Sequence, residues 1–183
     1  AAAAVLDLGC GSGAMLSDLA RRARGRVVGV DRDAGLLAVA SGARVVADAA
    51  ALPFRAGAFD LVFTQMFFLW AGCAPGLLGE IRRVLRPGGC LVAAAEPDWR
   101  GAFCEPPAPA LAEFAEGLRR EGADPFIGGR LGLALEDAGF QVECGLHPVR
   151  PLDAPRQCAG RLAGAEALRF LVVPYVHCLA RRS

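Results

Sequence analysis

The sequence predicts an α/β fold: a doubly wound, mostly parallel sheet of seven strands with an antiparallel closing strand. Over the first hundred residues, short apolar runs without polar alternation alternate with stretches whose apolar residues recur at helical spacing. Two further strand-like runs follow near the C-terminus. Strands that alternate with helices imply a parallel sheet with right-handed crossovers and helices on both faces.

The first half of the chain is predicted to hold five strands and three helices. The third helix carries apolar residues on one face and is expected to end at Pro87 and Gly88, because proline and glycine stop a helix. The predicted strands are 4–9, 26–31, 43–48, 59–65 and 90–97, and the predicted helices are 13–24, 34–41 and 76–89.

The second half is less regular. Residues 96–109 are rich in proline and are predicted to form a loop, and residues 153–170 fit a helix or a loop equally well. Helices are predicted over 110–122 and 128–139, and two adjacent closing strands over 140–149 and 171–182. Because there are no internal repeats and no clear linker, residues 1–183 are predicted to form a single domain.

The charge balance argues against two classes of partner. Twenty basic residues, all of them Arg, face 19 acidic residues, for a net charge of +1, so neither nucleic acid nor a membrane surface is expected as a partner. The uncharged stretch 61–79 contains Thr64, Gln65, Gly72, Pro75 and Gly76, which favours a strand, a loop and a helix start over a membrane span. No signal peptide is expected, although the chain begins with Ala rather than Met.

The seven cysteines are odd in number and irregular in spacing. Free thiols in a reducing compartment, and hence a cytoplasmic location, fit this pattern best. A metal site could be assembled from Cys144, His147, His177 and Cys178. It is more common for such cysteines to be buried as small hydrophobic residues and for such a His to lie on the surface, so no metal is expected.

The most informative stretch is VLDLGCGSGAML, residues 5–16. A strand that leads into a glycine-rich turn and then a helix is typical of a cofactor cradle, because Gly9, Gly11 and Gly13 allow close backbone approach. A helix start at about residue 13 would present unpaired N–H groups to an acceptor. The same residues also satisfy a relaxed dinucleotide fingerprint, with Asp31 about 20 residues on, so two cofactor classes fit.

Further features separate these two classes. Asp7, at the end of the first strand, would repel a pyrophosphate but would suit a cationic amino group, directly or through water. Asp48 follows the third strand at the carboxyl edge of the sheet, where it could accept a hydrogen bond from an exocyclic adenine amine. The fourth strand is followed by a loop and a helix that ends RPGG before the fifth strand.

The stretches VLDLGCGSG, VVGVD, ADAAALPF, FDLVFTQMFFLW and EIRRVLRPGGCLV, in this order and spacing, resemble class I S-adenosylmethionine-dependent methyltransferases. The likeness is greatest to the small-molecule enzymes of the ubiquinone- and menaquinone-biosynthesis type. It is strong over residues 4–95 and looser over EPDW and residues 122–140. It implies a Rossmann-like methyltransferase domain without the usual N-terminal helices, S-adenosylmethionine as cofactor, and methyl transfer to a small molecule.

The resemblance also assigns roles to particular residues. Asp7 matches the acid that heads the glycine motif, and Asp31 matches the acid that binds both ribose hydroxyls. The other matches are Gly9, Cys10, Gly11 and Gly13 for the loop under the methionine part, Asp48 and Ala49 for the adenine, Arg32 and Leu52 for the two faces of the adenine, and Thr64 and Gln65 for the strand end near the reacting methyl group.

The chain departs from related sequences after the fourth strand. TQMFFLW replaces an NPPY-like segment, which argues against enzymes that methylate DNA bases, and Leu69 stands where a His is often found. Asp98, with Glu96 and His147, is therefore only a candidate general base, and no catalytic residue is assigned. The residues Met66, Phe67, Phe68, Trp70, Trp99 and Phe103 suit either core packing or an apolar acceptor.

Two alternatives remain open. One is a non-catalytic domain that binds S-adenosylmethionine in a regulatory or partner role, and the other is an NAD(P)-dependent oxidoreductase. The acceptor and the oligomeric state are not predicted.

Overall fold

A computed structural model describes residues 2–105, 110–147 and 170–183. Its main feature is a seven-stranded sheet of order β3-β2-β1-β4-β5-β9-β7. The strands are β1 (Ala4–Leu8), β2 (Arg26–Asp31), β3 (Arg44–Val46), β4 (Phe59–Thr64), β5 (Leu85–Pro97), β7 (Phe140–Leu146) and β9 (Tyr175–Arg182). A separate antiparallel pair consists of β6 (Phe103–Glu105) and β8 (Phe170–Val172).

Six helices connect these strands in the described part of the chain. They are α1 (Leu16–Arg22), α2 (Ala34–Val39), α3 (Phe68–Ala71), α4 (Pro75–Val84), α5 (Ala110–Arg120) and α6 (Gly128–Asp137). A single 3-10 turn, Trp99–Gly101, follows β5.

The order of the strands sets the position of the site. β1 pairs in parallel with both β2 and β4, so the chain crosses from the β3 edge back to the other side of β1 before it forms β4. A crevice opens at such a switch point, outside the carboxyl ends of the strands. β9 is antiparallel to both β5 and β7, as expected for the closing strand.

The core lies between the sheet and the helices packed against it. Leu6, Val62 and Leu91 of three neighbouring strands are fully buried, together with Ile81 of α4 and Leu131 of α6. A smaller, separate cluster joins the glycine turn to α1 and α2 through Cys10, Leu16, Leu37 and Ala40. Apolar burial of this kind contributes about 25 cal/mol per Å² to folding, which favours this arrangement of layers.

The predicted parallel sheet, its antiparallel strand and the adjacency of β7 and β9 are confirmed. Several boundaries differ. The helix predicted to end at Pro87 and Gly88 ends at Val84, so β5 begins at Leu85 rather than at residue 90, and the predicted loop 96–109 contains the end of β5, the 3-10 turn and β6. The strand predicted over 171–182 divides before Tyr175, because Pro174 has no N–H to donate to a ladder. Residues 153–169 lie outside the described residues.

The expectation that every cysteine is a free thiol is wrong for one pair. Cys144 and Cys178 lie directly opposite each other in β7 and β9 and form a disulfide. Since side chains alternate across a strand, His177, one residue along from Cys178, points to the other face, where its ring lies 5.0 Å from that of His147. Cys10, Cys73, Cys90 and Cys104 are not part of a disulfide, and Cys158 is outside the described residues.

Among the described residues there is neither a metal-binding cluster nor a helix able to cross a membrane. No group of three or more His, Cys, Asp or Glu side chains there has an arrangement that could hold a metal ion. In the same part of the chain, none of the helices combines the length and the apolar character that crossing a membrane requires.

Candidate functional site

A cavity of about 600 Å³ opens at the carboxyl ends of the central parallel strands. Its walls come from the ends of β1, β2 and β3 and from the segment that follows β4. The residues that line it include Gly9, Asp31, Arg32, Asp48, Ala49, Met66, Phe67 and Trp70.

The glycine turn after β1 is tied to β2 by its backbone. The N–H groups of Gly9 and Cys10 both donate to the carbonyl oxygen of Val30, at 2.8 and 3.0 Å. Gly9 has φ +73°, and a Cβ atom there would lie 2.5 Å from the ring of Phe67, so the position requires glycine. α1 begins at Leu16, not at about residue 13 as predicted, because Gly13, with φ +82°, still belongs to the turn.

Asp31 joins the end of β2 to the glycine turn. Its Oδ2 accepts a hydrogen bond from Gly11 N at 2.8 Å, and its Oδ1 accepts one from Asp33 N at 2.9 Å. A carboxylate has about four acceptor positions, so Asp31 keeps capacity for two ligand hydroxyls on the cavity wall. Asp33, in turn, caps α2 by accepting from the N–H groups of Gly35 and Leu36.

Asp48 begins a tight turn after β3. Its Oδ1 accepts from Ala50 N at 2.8 Å, and its carbonyl oxygen accepts from Ala51 N at 3.0 Å. Its other carboxylate oxygen has no protein partner among the described residues. Asp48 and Ala49 therefore present an acceptor and main-chain groups to the cavity.

An ion pair on α4 fixes the end of this loop. Glu80 accepts from Leu52 N at 2.8 Å, and Arg83, 2.7 Å from Glu80, donates to the carbonyl oxygens of Leu52 and Phe54. The Arg83 guanidinium holds the pKa of Glu80 below its usual value. This ion pair was not predicted, because its only signal in the sequence is an acid and a base three positions apart on a helix.

Asp7 and Thr64 are buried polar residues behind the cavity wall. Asp7 is only 3% exposed, and one of its carboxylate oxygens has no partner among the described residues. Burial, and then the charge of Asp31, raise the pKa of Asp7 to about 7. The Thr64 hydroxyl, fully buried at the end of β4, also lacks a protein partner. Unpaired polar atoms at this depth are costly, which favours a ligand or a water molecule as the missing partner.

Several of the predicted site residues lie off the cavity wall. Gly11 and Gly13 form the turn behind it. Cys10 is buried beside them, and burial followed by the charges of Asp7 and Asp31 raises the pKa of its thiol to about 12. Gln65 is exposed and Leu52 is buried, and neither lines the cavity. Arg32 does line the cavity.

The three candidate bases do not line the cavity. Glu96 is fully buried, and its carboxylate accepts from three backbone N–H groups. Asp98 caps the 3-10 turn and forms an ion pair with Arg100 at 2.9 Å. His147, exposed just after the end of β7, contacts the carbonyl oxygen of Ala94 through its Nε2.

The segment after β4 forms the apolar wall of the cavity. Met66 and Phe67 line it, together with Trp70, which is 45% exposed. Met66 has φ +55° and is the one non-glycine residue with a positive φ in the described part of the chain. Positive φ in a non-glycine residue costs about 1–2 kcal/mol, so surrounding contacts must hold this turn.

Comparison with known proteins finds a family match over the first half of the chain. Residues 6–93 match the family described as methyltransferase domain. The chain is 37% identical over 89 residues to malonyl-[acyl-carrier protein] O-methyltransferase 1 of Coxiella burnetii, covering 48% of this chain and 32% of that protein. It is 42% identical over 110 residues to demethylmenaquinone methyltransferase of Thermus thermophilus, covering 54% and 50%. The chain thus spans half or less of the length of these relatives.

The fold has close counterparts among solved structures. A SAM-dependent methyltransferase from Methanosarcina mazei superposes with a TM-score of 0.67 at 20% identity, over 98% of this chain and 92% of that one. At this identity the likeness shows the fold alone. The family match and the fold agree: residues 6–93 match the methyltransferase domain family, and the chain has the fold of a solved SAM-dependent methyltransferase.

Proposed function

We propose that this chain binds S-adenosylmethionine in the cavity at the carboxyl edge of the sheet and transfers its methyl group to a small-molecule acceptor. One observation carries the proposal: a single cavity joins the glycine turn to the carboxylates of Asp31 and Asp48. These groups have the chemistry that a nucleoside with a cationic amino-acid tail would require.

The nucleoside half has three proposed contacts. Asp31, whose two oxygens each retain acceptor capacity, accepts from both ribose hydroxyls. Asp48 accepts from the exocyclic adenine amine, and the adjacent Ala49 contacts the base through its backbone. Arg32 covers one face of the adenine. The hydrogen bonds of Asp31 to Gly11 and Asp33 support this role, because they hold the carboxylate in place before the ligand arrives.

The methionine half has different proposed partners. The Gly9–Gly13 turn lies under it, with Cys10 packed beneath the turn. The unpaired carboxylate oxygen of Asp7 attracts the ligand ammonium, directly or through a water molecule. Thr64, at the end of β4, lies nearest the reacting methyl group, with Gln65 following it towards solvent.

When bound, S-adenosylmethionine supplies a methyl group already activated by the positive charge of its sulfur. The work left to the protein is to align the acceptor with that group and to exclude water. Met66, Phe67 and Trp70 form the wall suited to both tasks.

The apolar wall favours a small hydrophobic acceptor. The relatives named above act, by their names, on a malonyl group carried by a protein and on a demethylated menaquinone, which is compatible with an acceptor that is apolar in part. The near-neutral charge gives no reason to propose nucleic acid. A cytoplasmic location is also proposed, because four of the described cysteines are not part of a disulfide, although the Cys144–Cys178 disulfide does not support it.

Calorimetric titration with S-adenosylhomocysteine and with NADH tests the cofactor. We expect binding of the first only, and binding of NADH alone would overturn the proposal. A screen of acceptors with a labelled methyl donor then tests catalysis. Labelled product supports the enzyme, whereas binding without any product across apolar, polar and carrier-bound acceptors would favour the non-catalytic alternative.

A further inference from the structure

Glu96 is an acid buried at the end of β5 with no role in the proposed methyl transfer. Its side chain is fully buried. Its Oε1 accepts hydrogen bonds from Phe67 N at 3.0 Å and Phe68 N at 3.1 Å, and its Oε2 accepts one from Leu69 N at 3.0 Å. All three donors belong to the main chain of the segment that forms the apolar wall of the cavity.

No cation balances this carboxylate among the described residues. Burial raises the pKa of Glu96 to about 7, and only the three N–H groups act in the opposite direction. A buried carboxylate without a charged partner lowers stability compared with a neutral side chain of the same shape. Stability therefore does not explain why an acid occupies this position.

The segment that Glu96 holds is short and strained. α3 has four residues, and none of its own side chains caps its first N–H groups. Met66, just before it, has φ +55° and is fixed by one backbone hydrogen bond from its N–H to the carbonyl oxygen of Ala95, at 3.1 Å. A helix of one turn has little stability of its own, so its position depends on outside contacts.

Two contacts carry the position of this segment into the cavity. The ring of Phe67 lies against Gly9 of the glycine turn, where even a methyl group would be too close. Trp70 N donates to the carbonyl oxygen of Phe67 at 3.0 Å and so ties the main chain of Trp70, a residue of the cavity wall, to that of Phe67. A shift of the Phe67–Leu69 backbone would therefore move both aromatic side chains relative to the glycine turn.

We infer that Glu96 is a positioning residue: through its three backbone hydrogen bonds it holds Met66, Phe67 and Trp70 in the arrangement that binds cofactor and acceptor. The inference rests on the proposed function for the identity of the ligand. It does not depend on that function for the effect on the wall itself, which can be measured without any ligand.

Glu96→Gln is the decisive variant. The amide keeps the shape of the side chain and can still accept from two of the N–H groups, but its NH₂ group would face the third donor. In a Trp99→Phe background Trp70 is the only tryptophan, so its emission and its quenching by acrylamide report on the wall. Glu116→Gln, on the exposed surface of α5, is the matched control.

We expect Glu96→Gln to shift Trp70 emission and to weaken S-adenosylhomocysteine binding about tenfold at pH 8, the loss of one hydrogen bond to a charged group. Its urea midpoint at pH 8 should not fall, because a buried charge has been removed. Glu116→Gln should match the parent in all three measurements. Weaker binding together with a lowered midpoint would indicate a merely structural role and overturn the inference.

A second pair of outcomes separates the inference from the proposed function. If the parent protein does not bind S-adenosylhomocysteine, the proposed function fails, yet a shift of Trp70 emission in Glu96→Gln still supports the positioning role. If the parent binds and Glu96→Gln has the same affinity and the same Trp70 spectrum, the inference is wrong and the proposed function stands.

Discussion

The carboxylate of Asp31 accepts a hydrogen bond from the backbone N–H of Gly11, with 2.8 Å between Asp31 Oδ2 and Gly11 N. This bond ties the end of β2 to the glycine turn after β1. The acid proposed to bind the ribose thus also shapes the turn proposed to lie under the methionine. One side chain therefore couples the two halves of the proposed cofactor site.

Asp31→Ala should weaken S-adenosylhomocysteine binding by about 1–3 kcal/mol, because a ribose diol loses a charged acceptor and the turn loses an anchor. Calorimetry at pH 8 measures this change. Asp18→Ala, which removes an exposed acid of α1 that pairs with Arg21, is the control and should bind as the parent does. Unchanged affinity in Asp31→Ala would refute the ribose assignment.

Gly9→Ala should destabilise the fold more than Gly11→Ala. Both residues have positive φ, at +73° and +52°, so each variant bears the cost of a left-handed alanine, about 1–2 kcal/mol. At Gly9 the new methyl group would also meet the Phe67 ring, whereas nothing lies within 4 Å of the corresponding position at Gly11. Urea unfolding compares the two, and equal losses would show that the close approach of Phe67 to the turn is not real.

The affinity for S-adenosylhomocysteine should rise with pH. Because the pKa of Asp7 is raised to about 7, the carboxylate that attracts the ligand ammonium is mostly protonated at pH 6 and mostly charged at pH 8. That change alone predicts an increase in affinity of about tenfold. Asp7→Asn should remove this share of the increase. A pH profile that Asp7→Asn leaves unaltered would exclude Asp7 from ligand binding.

The raised pKa of Glu96 predicts that the stability of the fold falls as the pH rises, whereas the affinity for S-adenosylhomocysteine is expected to increase. The pKa of Glu96 is about 7 in the folded chain, compared with 4.5 for an ordinary glutamate such as that of the unfolded chain. Between pH 4.5 and 7, therefore, Glu96 is protonated in the folded state and ionised in the unfolded state. The stabilisation is complete below about pH 4.5 and is lost as the pH rises through 7, a change of roughly 3 kcal/mol. In Glu96→Gln, urea unfolding should show a free energy of unfolding that depends less on pH than that of the parent. The pH dependence that comes from Asp7 should remain.

The regular part of the fold was predictable because its signals are local. The apolar runs of β1, β2 and β4 and the one-sided pattern of α4 each predict an element, and their alternation predicts the parallel sheet. The cavity residues Gly9, Asp31 and Asp48 follow from position, because each comes directly after a strand whose carboxyl end faces the switch point.

What the sequence did not predict depends on contacts between distant residues. The Cys144–Cys178 disulfide requires the register of β7 against β9, and no spacing rule specifies that register. The positive φ of Met66 was not predictable, because the residue that usually marks such a conformation, glycine, is not present at this position. Glu96 looks like a candidate base after a strand, and only its burial against Phe67, Phe68 and Leu69 shows that its carboxylate is already engaged by the backbone.

The central claim is that the glycine turn and the two acids after β2 and β3 form one nucleoside site. A crystal structure of the complex with S-adenosylhomocysteine tests this claim most directly. The account predicts both ribose hydroxyls within hydrogen-bond distance of Asp31 and the adenine amine beside Asp48. Ligand density away from the glycine turn, or either carboxylate turned from the ligand, would contradict it.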